Sequence, residues 1–140
     1  MGRLIVGIES TAHTLSFGVV DSDGTLFPSH SSLFRPEEGG IHPREAADHH
    51  SDSASNLLDM LSSSTDFNWD SVEAIAFSQG PGLGPCLRIG ASVARSLSTS
   101  LGVPLIGVNH LEGHLLAIFL QNQVEFPFIS LVVSGGHTDL

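Results

Sequence analysis

His110 and His114, inside the stretch Pro104–Leu120 (PLIGVNHLEGHLLAIFL), stand four residues apart. In a helix that spacing puts two imidazoles on one face, a turn above each other. Imidazole is the commonest protein ligand for borderline metals, so the pair could chelate one ion. The competing reading is that two histidines flank an ordinary amphipathic helix. A second polar group, Glu9-Ser10-Thr11-Ala12-His13-Thr14, falls between two apolar runs and carries more functionality than a hairpin turn needs. A third, Ser134-Gly135-Gly136-His137-Thr138, follows another apolar run. Its glycines would let backbone amides approach a phosphate, with the serine hydroxyl as a further donor. The second and third groups share a pattern: apolar strand, Ser, two residues, His-Thr. Ser10 and Ser134 are 124 residues apart, the length of one mixed domain, which makes an internal duplication plausible. In a duplicated two-lobed fold the two turns would face each other across a cleft.

These groups need elements to hold them. Leu105, Ile106 and Val108 read as a buried strand, and Asn109 as the N-cap of the helix bearing the two histidines. Leu111, Leu115, Ile118 and Phe119 fall on a neighbouring face that can anchor that helix. Leu4–Ile8 and Leu15–Val20 are strand candidates, and Asp21–Gly24 is a turn. Thr25–Phe34 is a third strand at an edge, because Pro28 cannot donate to a ladder. Together they predict an antiparallel meander. His42-Pro43 opens a helix to about Leu61, with Ala47, His50 or Ala54, Leu57, Leu58 and Leu61 as its apolar stripe. His42, His49 and His50 read more readily as solvated polar groups than as metal ligands. Val72–Ser78 is a strand, Gln79–Cys86 a turn, and Leu87–Leu101 a helix ended by Gly102. That turn is not a phosphate loop: Pro81 and Pro85 lack amide donors and no Gly-Lys-Ser/Thr follows. A rigid turn that sets the helix entry and lets another chain or helix approach closely fits it better. Phe126–Val133 is predicted to be a buried strand.

The composition excludes some roles. The 140 residues carry fifteen acidic side chains against five arginines and no lysine, a formal charge of −10. Such a surface repels a phosphate backbone, so any nucleic-acid partner needs positive charge supplied by another domain or subunit. One cysteine, Cys86, excludes an internal disulfide and fits a reducing compartment. No apolar stretch reaches membrane-spanning length and the start lacks a signal-peptide pattern, so the expected location is cytoplasmic, with no membrane partner.

Five motifs in order, IESTAHT, GGIHPREAADHH, SQGPGLGPCLRIG, GVNHLEGHLLA and VSGGHT, resemble the universal tRNA threonylcarbamoyladenosine transferase family. Its archaeal and eukaryotic members are the catalytic subunit of the KEOPS complex, formerly described as O-sialoglycoprotein endopeptidases. The resemblance covers essentially the whole chain and about the first two-fifths of a family member. It implies an α/β fold of the actin/Hsp70/sugar-kinase type, related to ribonuclease H, with a mixed sheet and helices on both faces. Residues 1–124 would form the N-terminal lobe and 125–140 the first strand and nucleotide-binding turn of a second. The implied reaction moves threonylcarbamoyl from threonylcarbamoyl-adenylate to adenosine 37, beside the anticodon of ANN-decoding tRNAs, with release of AMP.

The resemblance also implies a site. His110 and His114 would hold a divalent metal, iron or zinc with magnesium as another option, with an aspartate from the second lobe. Val132, Val133, Ser134, Gly135, Gly136 and His137 would contact the adenine nucleotide, whether threonylcarbamoyl-adenylate, AMP or ATP. Glu9, Ser10 and Thr11 form the facing turn, and His42 with Glu45 the element near the substrate. Implied partners are tRNA and KEOPS-type subunits (a small kinase/ATPase and a dimerisation subunit) or their bacterial equivalents. Archaeal members commonly carry a tyrosine where this chain has Val132, and Asn where it has His137. The 140 residues alone are expected to be inactive.

Three rivals remain. A metalloendopeptidase needs His-Glu-x-x-His, whereas Glu112 lies two residues past His110, roughly 200° round the helix and away from a shared ion. Another ATP-binding enzyme of the same fold needs no histidine pair. A non-catalytic scaffold paralogue has no use for paired ligands.

Overall fold

The computed structural model describes residues 3–120, 122, 124–134 and 137–139. Three antiparallel strands open the chain: β1 (Leu4–Glu9), β2 (Thr14–Asp21) and β3 (His30–Leu33). Helix α1 (Pro43–Ser62) then carries the chain across to β4 (Val72–Gly80), which lies parallel to β1. Helix α2 (Gly84–Leu101) returns it to β5 (Leu105–Asn109), parallel to β4. The sheet order is β3-β2-β1-β4-β5. Both helical crossovers step the same way along this sheet, and right-handed crossovers then place both helices on one face. The mixed sheet is the one expected from the resemblance.

Strict alternation on β1 and β2 sets that face. Leu4, Val6, Ile8, Leu15, Phe17 and Val19 are each no more than 3% exposed. They meet Ala54, Leu57 and Leu61 of α1 and Ala94 of α2 in one core. The opposite face carries small and polar residues, Gly7, Thr14, Ser16, Gly18 and Ala76 among them, and lies open to a cavity. Helix α3 (His110–Ala117) leaves the end of β5 and stands beside that open face.

The structure departs from the sequence reading in six places. The strand expected to be buried at Leu105–Val108 is the edge strand β5, with Leu105 36% and Ile106 43% exposed, because β4 flanks it on one side only. The third strand is His30–Leu33 rather than Thr25–Phe34, with a single bridge from Val20 to Leu26 upstream of Pro28. Helix α2 begins at Gly84 instead of Leu87, because Pro85 suits a first helical turn. His50 is fully buried instead of solvated. No residue of α3 is buried, so Leu111, Leu115 and Ile118 do not anchor it in a core; they line a cavity with residues 130–133. Finally, the strand expected at Phe126–Val133 is the short β6 (Val132–Ser134), paired with β7 (His137–Asp139) in a separate two-stranded sheet. Phe126, Ile129, Leu131 and Val133 are between 60% and 87% exposed. A strand is buried by layers on its faces; here Phe119 meets Phe126 and Phe128, and α3 borders residues 130–133 across a cavity, without burying the segment.

Candidate metal centre

In the sheet, β1, β4 and β5 run parallel, so Glu9, Gly80 and Asn109 share one end. The crevice beyond the carboxyl ends of parallel strands is where open α/β sheets hold ligands. Asn109 closes β5 and caps α3, its Oδ1 accepting from the amides of Leu111 at 2.9 Å and Glu112 at 3.3 Å. His110 is thereby the first residue of the helix, and His114 lies one turn on. Their Nε2 atoms are 3.1 Å apart, with the rings nearly perpendicular at 79°. Glu9 completes the group: its Oε2 is 3.1 Å from His110 Nδ1. The other carboxylate oxygen accepts the Thr11 amide at 2.6 Å.

That donor set fits a single cation. Nitrogen ligands sit about 2.0–2.1 Å from zinc, so two nitrogens 3.1 Å apart are within reach of one ion. A carboxylate on the far ring nitrogen favours the His110 tautomer with Nδ1 protonated, which would leave Nε2 free to ligate an ion; metal-binding histidines recurrently have this support. Two imidazoles favour iron or zinc over magnesium, which takes oxygen ligands. Among the described residues no group of three potential ligands is assembled. Glu112 is exposed and makes no hydrogen bond to either histidine among the described residues.

The two histidines form a wall between two cavities. One, about 270 Å³, is bounded by Leu111, Leu115, Ile118 and residues 130–133. The other, about 710 Å³, runs along the open sheet face past Glu9, Ser16, Gly18 and Ala76. Both lie at or near the size of small-ligand sites, with the larger well inside that range.

The remaining site candidates fall in different places. Ser10 and Thr11 are buried, at 1% and 5% exposure. The Ser10 hydroxyl lies against Gly90 of α2, where an added methyl would come within 2.0 Å of it, and among the described residues it has no hydrogen-bond partner. These two residues reach the site through their backbone. His42 and Glu45 open α1 at the same end of the sheet, both exposed, without a hydrogen bond to Glu9, His110 or His114 among the described residues. Val132 and Val133 line the smaller cavity beside the histidines. Gly135 and Gly136, and the side chains of Ser134 and His137, lie outside the described residues.

Sequence reasoning missed the residues that hold the Glu9–Thr14 turn. Ser78 Oγ, buried on β4, accepts the Ser10 amide at 3.2 Å. The Leu83 amide donates to the Thr11 carbonyl at 2.7 Å, and at Gly82 a Cβ would lie 2.5 Å from that oxygen. The glycine-rich Gln79–Cys86 turn therefore serves close approach, but what approaches is the Glu9–Thr14 turn of the same chain rather than another chain or a helix. His50 Nε2 is 3.0 Å from the Ala12 carbonyl. The available signal was its place in the apolar stripe of α1, one turn before Ala54.

The family model described as TsaD, tRNA N6-adenosine threonylcarbamoyltransferase, matches residues 29–140. An Archaeoglobus fulgidus protein named tRNA N6-adenosine threonylcarbamoyltransferase is 45% identical over 137 residues, covering 98% of this chain and 41% of that protein. A Geobacter protein of the same name is 39% identical over 140 residues, covering 98% and 41%. A Methanosphaera stadtmanae protein, named a probable bifunctional tRNA threonylcarbamoyladenosine biosynthesis protein, is 42% identical over 137 residues, covering 98% of this chain and 26% of its own. YeaZ from Pseudomonas aeruginosa shares the fold, with a TM-score of 0.64 at 19% identity over 85% of this chain and 48% of that one. The chain spans about two-fifths of the length of the first two relatives. It belongs to the TsaD family of tRNA N6-adenosine threonylcarbamoyltransferases.

Proposed function

We propose that this chain forms the metal-holding lobe of an enzyme that transfers threonylcarbamoyl from threonylcarbamoyl-adenylate to adenosine 37 of ANN-decoding tRNAs. The observation that carries the reading is the convergence of His110 Nε2 and His114 Nε2 to 3.1 Å, with Glu9 on His110 Nδ1. His110 and His114 would hold iron or zinc, completed by a ligand from outside these residues. Bound there, the ion supplies Lewis-acid polarisation of an oxygen on the adenylate. The chain's own residues orient and enclose. Glu9 fixes the His110 ring, and α3 sets the second nitrogen one turn away. The Val132–His137 turn would present backbone amides and the Ser134 hydroxyl to the nucleotide phosphate. The amine of adenosine is itself the nucleophile, so no side chain need form a covalent bond. His42 and Glu45, exposed at the same end of the sheet, would meet substrate.

The names of the bifunctional relatives, which join this family to a larger threonylcarbamoyladenosine biosynthesis protein, support a multi-part system. With a charge of −10, this lobe is a poor grip for tRNA, and a KEOPS-type or equivalent bacterial subunit, or the second lobe, would supply the basic surface. Cytoplasmic location follows from a tRNA substrate; no helix among the described residues is long and apolar enough to cross a membrane. The test pairs Zn²⁺ or Fe²⁺ binding by this chain with adenosine modification by a protein of the relatives' length containing it. His110→Ala and His114→Ala should each lower metal binding by this chain and abolish transfer by the longer protein. Normal transfer by His110→Ala with undiminished metal content would overturn the reading.

A further inference from the structure

The turn between β1 and β2 is held from two sides, and one of the holding groups is a histidine with no solvent contact. His50 of α1 is 0% exposed, its Nε2 lies 3.0 Å from the Ala12 carbonyl, and its Nδ1 is buried without a partner among the described residues. A carbonyl only accepts, so Nε2 carries the proton and Nδ1 is bare. Burial pushes the imidazole pKa down, against the opposing effect of the Ala12 bond, and keeps the ring neutral. A bare buried nitrogen costs free energy that an aliphatic side chain of similar volume would avoid. What an aliphatic residue could not supply is the bond to Ala12.

That bond sits in a short chain of contacts ending at the metal centre. Ala12 follows Thr11, whose carbonyl takes the Leu83 amide at 2.7 Å and whose own amide donates to Glu9 Oε1 at 2.6 Å. Glu9 Oε2 then meets His110 Nδ1 at 3.1 Å. Gly82 presses on the same carbonyl from the side of α2, where any Cβ would lie 2.5 Å from it. We infer that His50 is a positioning residue for the Glu9–His110–His114 site, pinning Ala12 so that the Thr11 amide and Glu9 stay aimed at His110. The inference rests on reading that site as a metal centre.

The experiment measures Zn²⁺ affinity of this chain by isothermal titration, with thermal unfolding in parallel. His50→Leu is expected to lose about tenfold in affinity, within the range seen when a group supporting a metal ligand is removed. His50→Gln, whose amide can donate to Ala12, should recover most of that loss. Gly82→Ala, which pushes the turn from the opposite side, should lose affinity as His50→Leu does. Gly84→Ala, whose methyl meets nothing within 4 Å, should match the parent. If His50→Leu does not fold, His50→Met, which fills the same space without a donor to Ala12, takes its place beside Gly82→Ala. A lowered melting temperature with affinity within twofold of the parent in both His50→Leu and Gly82→Ala, while Glu9→Gln loses affinity, overturns the positioning role and leaves the metal centre standing. Unchanged affinity in His110→Ala and Glu9→Gln overturns both.

Discussion

Glu9 and His110 are 101 residues apart in the chain and meet with 3.1 Å between Oε2 and Nδ1. The parallel pairing of β1 with β4 and of β4 with β5 brings their strand ends together. A carboxylate on the far nitrogen raises the basicity of the near one and fixes the ring. Glu9→Gln should therefore weaken Zn²⁺ binding by about 10- to 100-fold while leaving the fold intact. Zinc titration together with far-ultraviolet circular dichroism checks both halves. An equally tight Glu9→Gln protein would mean the contact does nothing for the ion.

Gly90 of α2 is a packing requirement of the same turn. An added methyl would lie 2.0 Å from Ser10 Oγ and 2.8 Å from Ser10 Cβ. Neither atom has free space to yield, since Ser10 is 1% exposed. Gly90→Ala should cost about 1–3 kcal/mol, the usual range for overpacking. The Ser10→Gly, Gly90→Ala double variant should be less destabilised than the sum of the two single changes, by urea denaturation. Strict additivity would place the strain elsewhere.

The strands β1 and β2 and the helix α1 were legible because their apolar positions follow periods of two and 3.6 residues. The His110–His114 pair was legible from its spacing. Ser78, Gly82 and Gly90 were not, since each matters through one contact with a turn far away in sequence, and a lone serine or glycine carries no period. His50 was misread for a related reason: a histidine in an apolar stripe looks like a polar interruption until its acceptor is known. Phe126–Val133 was misread because an apolar run specifies a wish for burial and not the layer that grants it.

The buried His50 also predicts an acid response. Unfolded, its imidazole takes a proton near pH 6.5; folded, burial holds its pKa lower, with His49 and His13 opposing protonation and Glu9 and the Ala12 bond favouring it. Between those two values the unfolded chain binds more protons, so stability is full above about pH 6.5 and falls as the pH drops toward the folded pKa. Urea midpoints should decline from pH 7.5 to pH 5.5, and His50→Gln should flatten part of that slope. A slope identical in parent and variant would assign the response to other groups.

Asn109 gives the last test, because α3 depends on its cap more than α1 or α2 does. The helix has eight residues and none is buried, so packing contributes little to it. Helices this short are marginal by themselves. Asn109 Oδ1 satisfies the Leu111 and Glu112 amides, and Asn109→Ala should cost the helix about 1 kcal/mol. The loss is local, so the melting temperature of the sheet and of α1 and α2 should hold. Metal binding needs His110 and His114 one helical turn apart, and its apparent affinity scales with the fraction of molecules in that form. Where the helix is already only partly populated, Zn²⁺ affinity should fall by up to about fivefold, with faster hydrogen exchange at Leu111 and Glu112. Asn109→Asp, which keeps the acceptor and adds negative charge at the helix N-terminus, should bind at least as well as the parent. Full affinity in Asn109→Ala would show that the histidines are held by something other than the cap.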